Sequence, residues 1–175
     1  MNTGFDFKPE KFASAIAYLA ERKQGVTKKE LCKLLYFADK RHLLRYGRSI
    51  TGDRYFALEQ GPIPSKGLDA LNGKGKIEDV NAVRQYGKFR GWTFELEHRA
   101  DLKALSKSDI AVLDQILAEI GHLKAWQLEE LSHREPAWMK AEPNAEMDFV
   151  DFFEGHPEAE LVKQVLLEEQ PLQVV

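Results

Sequence analysis

A helix with clearly marked ends is the feature that most constrains how this chain can fold. Thr27 and Glu30 have the spacing of a capping box, in which each side chain accepts a hydrogen bond from the backbone amide of the other residue. Gly47 is placed where a left-handed residue ends a helix. Between these ends, residues 31–38 are apolar on almost every side apart from Lys33. A helix that is apolar all round is a buried one, so the sequence predicts that it lies in the middle of a core.

Further helices are predicted from apolar residues at helical spacing and from start and stop signals. They are expected after Pro9, over 68–71, after a second capping box at Ser106 and Asp109, within KAWQLEELSH (124–133), from Pro136 and from Pro157. In KAWQLEELSH, Trp126, Leu128 and Leu131 are predicted to face the core.

Two short strands are predicted between the helices. Residues 55–61 and 92–96 alternate in the manner of strands, and we expect them to pair in one small sheet. Pro62 and Pro64 lack the N–H that a strand ladder needs, which predicts a stiff corner after the first strand. Ser65 is then placed to cap a short helix. The expected fold class is mainly α (α+β), a compact helical domain with a small antiparallel β-sheet or hairpin.

The composition is that of a globular domain with a tail. The chain has 175 residues, of which 43% are hydrophobic and 30% are charged. Its apolar runs are too short to cross a membrane, and residues 1–12 lack the pattern of a secretion signal. The single cysteine, Cys32, excludes an internal disulfide. We therefore expect a cytoplasmic protein without a membrane partner.

Charge is distributed unevenly along the chain. The formal net charge is −3, but residues 141–175 carry nine acidic side chains and one lysine. Residues 28–54 carry eight Lys and Arg against three acidic residues. This asymmetry is consistent with electrostatic steering of a partner, with one half shielding the other, or with ordinary solvated surfaces.

Residues for catalysis or metal binding are sparse. The five histidines are scattered without an i, i+4 pair, and one cysteine cannot build a zinc site. Cys32 lies among leucines, as core residues do, and no nucleophile elbow or phosphate-binding loop is present. Asp39 and His42, three residues apart, can form an acid–base couple, although an ordinary polar pair is the favoured interpretation. We expect a protein without enzyme activity, catalytic residues, metal or cofactor.

Nucleic-acid binding is the alternative that the basic residues raise. The cations of residues 28–54 form a basic zone, and helices followed by a short sheet are compatible with a winged-helix shape. However, the lysines spread around the helix instead of forming one stripe, and the isoelectric point is near 6.0. A nucleic-acid partner is therefore not expected, and a nucleic-acid-binding regulator stays an alternative hypothesis.

Two long motifs carry a family resemblance. KLLYFADKRHLLRYGRSITGDRYFALEQGPIPS (33–65) resembles the first signature of the SocA-like antitoxin family, also called the Panacea domain. LSKSDIAVLDQILAEIGHLKAWQLEELSHREPAWMKA (105–141) resembles its second signature. The resemblance implies a mainly helical domain with a small β element, encoded in a bacterial or phage toxin–antitoxin pair. Members of the family neutralise a toxin encoded by an adjacent gene, and one branch is understood to deliver its toxin to an ATP-dependent protease.

The resemblance also supplies the candidate partner-binding residues. At these motif positions the sequence has Asp39, His42, Arg48, Asp53, Tyr55, Pro62, Pro64, Ser65, His133, Glu135 and Trp138. The prolines are expected to shape the backbone. We hypothesise that the polar and aromatic side chains meet in one network between the two motifs. Such a network fixes the fold or lines the toxin-binding surface, and fixing the fold is the favoured interpretation.

These observations define the expected organisation and partners. Residues 5–141 are expected to form the antitoxin domain, and residues 142–175 an acidic C-terminal extension whose final helix packs on or near it. The segment AEPNAEMD (141–148) is the best linker candidate. The expected function is neutralisation of a cognate toxin by direct binding. The alternatives are a proteolytic adaptor, with QPLQVV as a handle for the protease, and the nucleic-acid-binding regulator.

Overall fold

The computed structural model describes residues 6–168, and this part of the chain is mainly helical. The helices are α1 (Pro9–Arg22), α2 (Lys28–Tyr46), α3 (Ser65–Leu71), α4 (Ile77–Arg84), α5 (Lys107–Ile120), α6 (Ala125–Ser132), α7 (Pro136–Lys140) and α8 (Ala159–Glu168). The strands are β1 (Tyr55–Leu58), β2 (Gly61–Pro64), β3 (Gly87–Arg90) and β4 (Thr93–Leu96), and short 3-10 turns cover Leu102–Ala104 and Phe149–Phe153. The predicted fold class, mainly α with a small antiparallel β element, is confirmed. Among residues 6–168, no helix is both long and apolar enough to span a membrane.

Helix α2 is the central helix that the sequence predicts. The amide of Thr27 donates to Glu30 Oε2 at 2.8 Å, and the amide of Glu30 donates to Thr27 Oγ1 at 3.2 Å, so the capping box forms. Gly47 ends the helix with φ of 71°. The middle of α2 is buried, and the helix contacts α1, α5, α6, β2 and the Phe149–Phe153 turn.

The strands form two separate hairpins, so the predicted pairing of residues 55–61 with 92–96 is wrong. β1 pairs antiparallel with β2 across the turn Glu59–Gln60, and β3 pairs with β4 across the turn Gly91–Trp92. The two hairpins belong to different sheets. Pairing with the next segment of chain closes a short loop and therefore loses less entropy than pairing distant segments.

Pro62 and Pro64 lie inside strand β2, which corrects the expectation of a corner beyond the strand. They face Ala57 and Tyr55 in the register of the hairpin. Ala57 directs its amide away from β2, donating it to Ala145 O at 2.9 Å. Ladder bonds alternate sides along a strand, so both prolines occupy positions at which β1 requires no donor from β2.

The segment predicted as a linker is bound to the first hairpin. The amide of Asn144 donates to Ala57 O at 2.8 Å, and the amide of Met147 donates to Tyr55 O at 2.8 Å. The following residues bury aromatic rings against α2 and β1. The hydrophobic cluster that they join contains Tyr36, Leu43, Tyr55, Ala57, Ala137, Met147, Phe149, Phe152, Phe153 and Ala159. Segment 144–153 is therefore held by backbone and side-chain contacts together.

Helix α6 buries a narrower face than its sequence predicts. Leu128 and Ser132 are buried, four residues apart, whereas Trp126 is 62% exposed although it was predicted to face the core. Residues i and i+2 of a helix do not share a face, so Trp126 and Leu128 cannot both point inward from a two-turn helix. Helix α4, which directly follows the glycine-rich turn NGKGK, and strand β3, which follows α4, were not predicted, because each is short.

Candidate functional site

Asp39 ties the start of the first hairpin to α2. Its carboxylate is buried and accepts the amides of Ile50 at 2.8 Å and Thr51 at 3.0 Å, the Thr51 hydroxyl at 2.6 Å and the Tyr55 hydroxyl at 2.8 Å. Burial raises the pKa of Asp39, while these four hydrogen bonds act in the opposite direction. Each lone-pair direction has a donor, so this side chain holds the chain from residue 50 to 55 in one conformation.

Asp53, not Ser65, caps helix α3. Asp53 accepts the amides of Lys66 at 3.1 Å and Gly67 at 2.7 Å, whereas the Ser65 side chain makes no cap hydrogen bond. Burial raises the pKa of Asp53 to about 6, and the bonds from the backbone amides counteract this shift. The predicted role of Ser65 therefore belongs to a carboxylate twelve positions earlier, which sequence spacing does not reveal.

His42 and Arg48 meet a different carboxylate, that of Asp109 on α5. Asp109 lies 3.1 Å from His42 Nε2, 3.0 Å from Arg48 Nη2 and 2.7 Å from Lys11 Nζ, and its side chain is fully buried. Burial alone raises the pKa of Asp109, but the adjacent His42 side chain, the hydrogen bonds from Lys11 and the Ser106 amide, and the nearby Arg48 guanidinium hold it well below its usual range. This group joins α1, α2 and α5.

His42 does not form the couple with Asp39 that the spacing permits. Its Nδ1 lies 2.7 Å from Arg48 O, so this nitrogen carries a proton, because a carbonyl oxygen can only accept. Its Nε2 lies 2.9 Å from Ser108 Oγ. Asp39 and His42 thus have separate partners, and the helix positions them in two different polar groups.

Two further candidates, His133 and Trp138, converge on the turn of the first hairpin, and a third, Glu135, binds side chains of α2. Trp138 Nε1 donates to Leu58 O at 2.9 Å, and His133 Nε2 donates to Glu59 O at 3.0 Å. The two rings stack with centroids 4.3 Å apart. Glu135 accepts the hydroxyl of Tyr36 at 2.9 Å and also binds Lys40. The second motif therefore anchors the hairpin that the first motif forms.

Lys33 of α2 also holds the first hairpin. Its side chain is fully buried, and Nζ donates to Pro62 O at 2.8 Å. Burial lowers the pKa of Lys33 to about 8. Gly61, with φ of 97°, allows this approach, because a Cβ there would lie 3.0 Å from Lys33 Nζ and against Ser132 Oγ.

The hypothesis of one network between the two motifs is wrong. The candidates fall into three separate polar groups. The first is centred on Asp39, with Tyr55 and with Asp53 nearby, and the second is centred on Asp109, with His42 and Arg48. The third, which we call the hairpin anchor, holds the first hairpin. The hairpin anchor comprises Lys33, Tyr36, Lys40, His133, Glu135 and Trp138. Lys11, Lys40 and Asp109 were not singled out for these roles. The buried Lys33 had one sequence signal, since it is the charged residue in an otherwise apolar helix segment.

A groove of about 850 Å³ opens between the two hairpin turns. Glu59 and Gln60 form one wall, Gly91 and Trp92 form the other, and the first residues of α2 lie between them. The remaining lining residues are Thr27, Lys28, Lys29, Cys32, Leu58, Ile63, Leu68, Phe89, Ala125 and Asn144. The groove thus lies at the same hairpin turn that the anchor holds.

The groove has the chemistry of a binding surface. Trp92 is 87% exposed, and Ile63, Leu68 and Phe89 add apolar area beside it. Burial raises the pKa of the Cys32 thiol to about 11, so the thiolate required of a nucleophile is not present at neutral pH. Within residues 6–168, no three His, Cys, Asp or Glu side chains form a cluster that could hold a metal ion.

The basic residues of segment 28–54 are paired inside the molecule. Five of them lie within salt-bridge distance of a carboxylate: Lys29–Glu129, Lys40–Glu135, Arg41–Glu119, Arg48–Asp109 and Arg54–Glu146. The other three bond neutral groups: Lys28 to Asn72, Lys33 to Pro62 O and Arg45 to Gln115. The excess positive charge of this segment is therefore largely compensated by acidic residues from later in the chain.

Comparison with protein families identifies the class to which this fold and site belong. The family model described as Antitoxin SocA-like, Panacea domain, matches residues 31–139, which is more than half of the chain. The chain belongs to this SocA-like antitoxin family. Comparisons with curated proteins and with solved structures found no match. The matched range includes every candidate residue from Asp39 to Trp138, and it ends before the Phe149–Phe153 turn and α8.

Proposed function

We propose that this protein is an antitoxin that neutralises a toxin encoded by an adjacent gene through direct protein–protein binding. The observation that carries the proposal is the match of the antitoxin family over residues 31–139. The site supports it, because an open apolar groove with an exposed tryptophan suits a protein partner better than a small polar substrate. The expected environment is the cytoplasm of a bacterium, where such gene pairs act.

The candidate motif residues act mainly as the framework of this binding module. Asp39, His42 and Tyr55 are buried and form their hydrogen bonds within the protein, and the partly exposed Arg48 is paired with Asp109. His133 and Trp138 hold the turn that forms one wall of the groove. We assign them the positioning of the partner surface, and no catalytic role.

The alternatives differ in how much the structure supports them. A nucleic-acid-binding regulator is disfavoured, because the cations of segment 28–54 are occupied by internal partners. A proteolytic adaptor also binds the toxin, and its proposed handle, QPLQVV, lies outside the described residues. Direct masking requires only a binding surface, which the groove provides.

A growth experiment tests the antitoxin proposal. The reading frame adjacent to this gene is induced in a bacterium that lacks both genes, first alone and then together with this protein. Toxicity alone and growth on co-expression are expected. Toxicity without rescue contradicts the proposal, and purification of the two proteins together shows whether rescue reflects a complex.

The half-life of the toxin separates masking from delivery to a protease. The toxin is followed after translation is stopped, with and without this protein. Masking predicts an unchanged or longer half-life, because a bound protein is protected from unfolding. A shortened half-life that depends on an ATP-dependent protease would establish the adaptor mechanism instead.

A further inference from the structure

We propose that the groove between the two hairpin turns is the docking site for the toxin, and that it receives an apolar segment whose acidic side chain faces Lys28. The identity of the occupant as the toxin rests on the proposed antitoxin function. The location of the groove, its apolar walls and its charges come from the structure alone.

The apolar part of the inference rests on Trp92 and its neighbours. Trp92 is 87% exposed at the tip of the second hairpin, and Phe89 and Leu68 line the groove below it. Large aromatic side chains that are exposed in the free protein and buried in a complex contribute a large share of binding energy. An occupant with a large aliphatic or aromatic side chain therefore gains the most from this surface.

The charge of the occupant follows from Lys28 and the groups around it. Lys28 Nζ bonds the neutral amide of Asn72 at 2.6 Å and lies 4.6 Å from the centroid of the Phe89 ring. In the part of the chain described, no carboxylate lies within salt-bridge distance of Lys28, whereas neighbouring Lys29 is paired with Glu129 at 2.8 Å. An acidic side chain of the occupant therefore provides the negatively charged partner for Lys28.

Glu59 fixes the direction of the docked segment. It belongs to the opposite wall, in the turn of the first hairpin, and repels a carboxylate placed beside it. The acidic end of the occupant therefore lies on the Lys28 side of the groove. The backbone of the Glu59 wall is held by His133 and Trp138, so little conformational entropy is lost there on binding.

A second exposed apolar face provides the competing outcome. On α8, Leu161 is 64% exposed and Val165 is 45% exposed, four residues apart on one side of the helix. Acidic residues flank this face, including Glu158 and Glu160. No feature of the described residues indicates what covers it, so α8 serves as the control surface in the experiment.

The test measures binding of the purified toxin from the adjacent reading frame to variants of the full chain. Trp92→Ala is expected to raise Kd at least about tenfold, because it removes the most exposed aromatic ring of the groove. Lys28→Glu is expected to raise Kd by about tenfold, with a smaller effect at high salt. The new carboxylate lies in the first turn of α2, where a negative charge is favourable to the helix, so folding is retained. Leu161→Ala is the matched control and is expected to leave Kd unchanged.

Each result separates the two proposals. If the unmodified protein forms no complex with the toxin, the antitoxin proposal fails and the docking inference fails with it. If the unmodified protein binds and Trp92→Ala binds equally well, the docking inference alone is overturned. Loss of binding in Leu161→Ala with retention in Trp92→Ala would place the toxin on α8. A Kd that falls in Lys28→Glu shows that the occupant is basic and overturns its assigned charge.

Discussion

The two hairpins of this protein have the same size but are held in different ways. Each has four-residue strands and a two-residue turn. In the first, His133 bonds Glu59 O in the turn, and Trp138 and Lys33 bond Leu58 O and Pro62 O beside it. At the turn of the second, a Cβ added to Gly91 would meet nothing within 4 Å, and Trp92 extends into solvent.

The two hairpins therefore differ in role: the first is held in place by other parts of the protein, and the second presents an exposed side chain. The family motifs, residues 33–65 and 105–141, contain the first hairpin and its anchor, whereas β3 and β4 lie between the motifs. The first hairpin therefore supplies a fixed wall whose position is determined by buried polar groups. The second supplies an exposed ring that can be exchanged without disturbing the core.

Removal of the C-terminal segment, which is bound to the first hairpin, is expected to have the largest effect. Truncation after Ala141 removes the backbone bonds to β1 and the buried side chains of Met147, Phe149, Phe152 and Phe153. At about 1.5–3 kcal/mol for each large apolar side chain, this loss is comparable with the stability of a typical domain. We expect the truncated protein not to fold cooperatively in a thermal unfolding experiment.

A second truncation, after Gly155, is the control. It keeps segment 144–153 and removes α8, so cooperative unfolding is expected to persist. This pair of truncations also tests the proposed division into residues 5–141 and 142–175. A stable protein ending at Ala141 would show that residues 142–175 are a separable extension.

Two glycine substitutions compare the turns directly. Gly61 and Gly91 both have positive φ, 97° and 59°, so alanine is strained at either position by about 1–2 kcal/mol. Only at Gly61 does the new methyl group also meet Lys33 and Ser132. We expect Gly61→Ala to lower the free energy of unfolding by more than about 3 kcal/mol and Gly91→Ala by about 1 kcal/mol, measured by urea unfolding. Equal losses would mean that the anchor tolerates displacement of the first turn.

The helices are predicted well from the sequence, because the residues that mark their ends lie within a few positions of one another. The capping boxes at Thr27 and Ser106 and the left-handed Gly47 form as predicted. In each case the interaction partners lie within about one turn of helix, where spacing alone is informative.

The pairing of strands and the partners of polar residues could not be predicted in this way. Asp53 caps a helix that begins twelve residues later. Asp109 lies beside Lys11 of α1, His42 of α2 and Arg48, which follows the end of α2. Such partners depend on the tertiary fold, which periodicity does not encode. The family motifs marked the residues of the hairpin anchor, but they gave no indication that Trp92 stands exposed at the groove.

The pH dependence of stability reports on the anchor of the first hairpin. The pKa of Lys33 is lowered from 10.5 to about 8 in the folded protein because the side chain is buried. Between these two values the unfolded chain binds the proton that the folded chain has released, so the free energy of unfolding rises with pH across this window. Below pH 8 both states are protonated, and the full penalty of the buried charge applies.

Lys33→Met removes this titration while keeping most of the side-chain volume. The free energy of unfolding of the natural protein, relative to that of Lys33→Met, is expected to increase by about 2 kcal/mol between pH 7.5 and 9.5. Cys32 also titrates in the unfolded chain near this range, but it is present in both proteins and largely cancels in the difference. Urea unfolding at several pH values measures the effect, and a flat difference would indicate that Lys33 titrates as it does in solvent.

The smallest predicted effect distinguishes the two tryptophans at the hairpin turns. Trp138→Phe keeps an aromatic ring beside His133 but removes the hydrogen bond from Nε1 to Leu58 O, at a cost of about 1 kcal/mol. Trp92→Phe changes an exposed side chain, and the free energy of unfolding is expected to change by less than about 0.5 kcal/mol. Urea midpoints give both values. Amide exchange near Gly61 should be faster in Trp138→Phe only, because the bond that this variant loses restrains the turn of the first hairpin. If both substitutions have the same effect, the turn is held by its strands alone, and the contrast between an anchored and a free wall no longer holds.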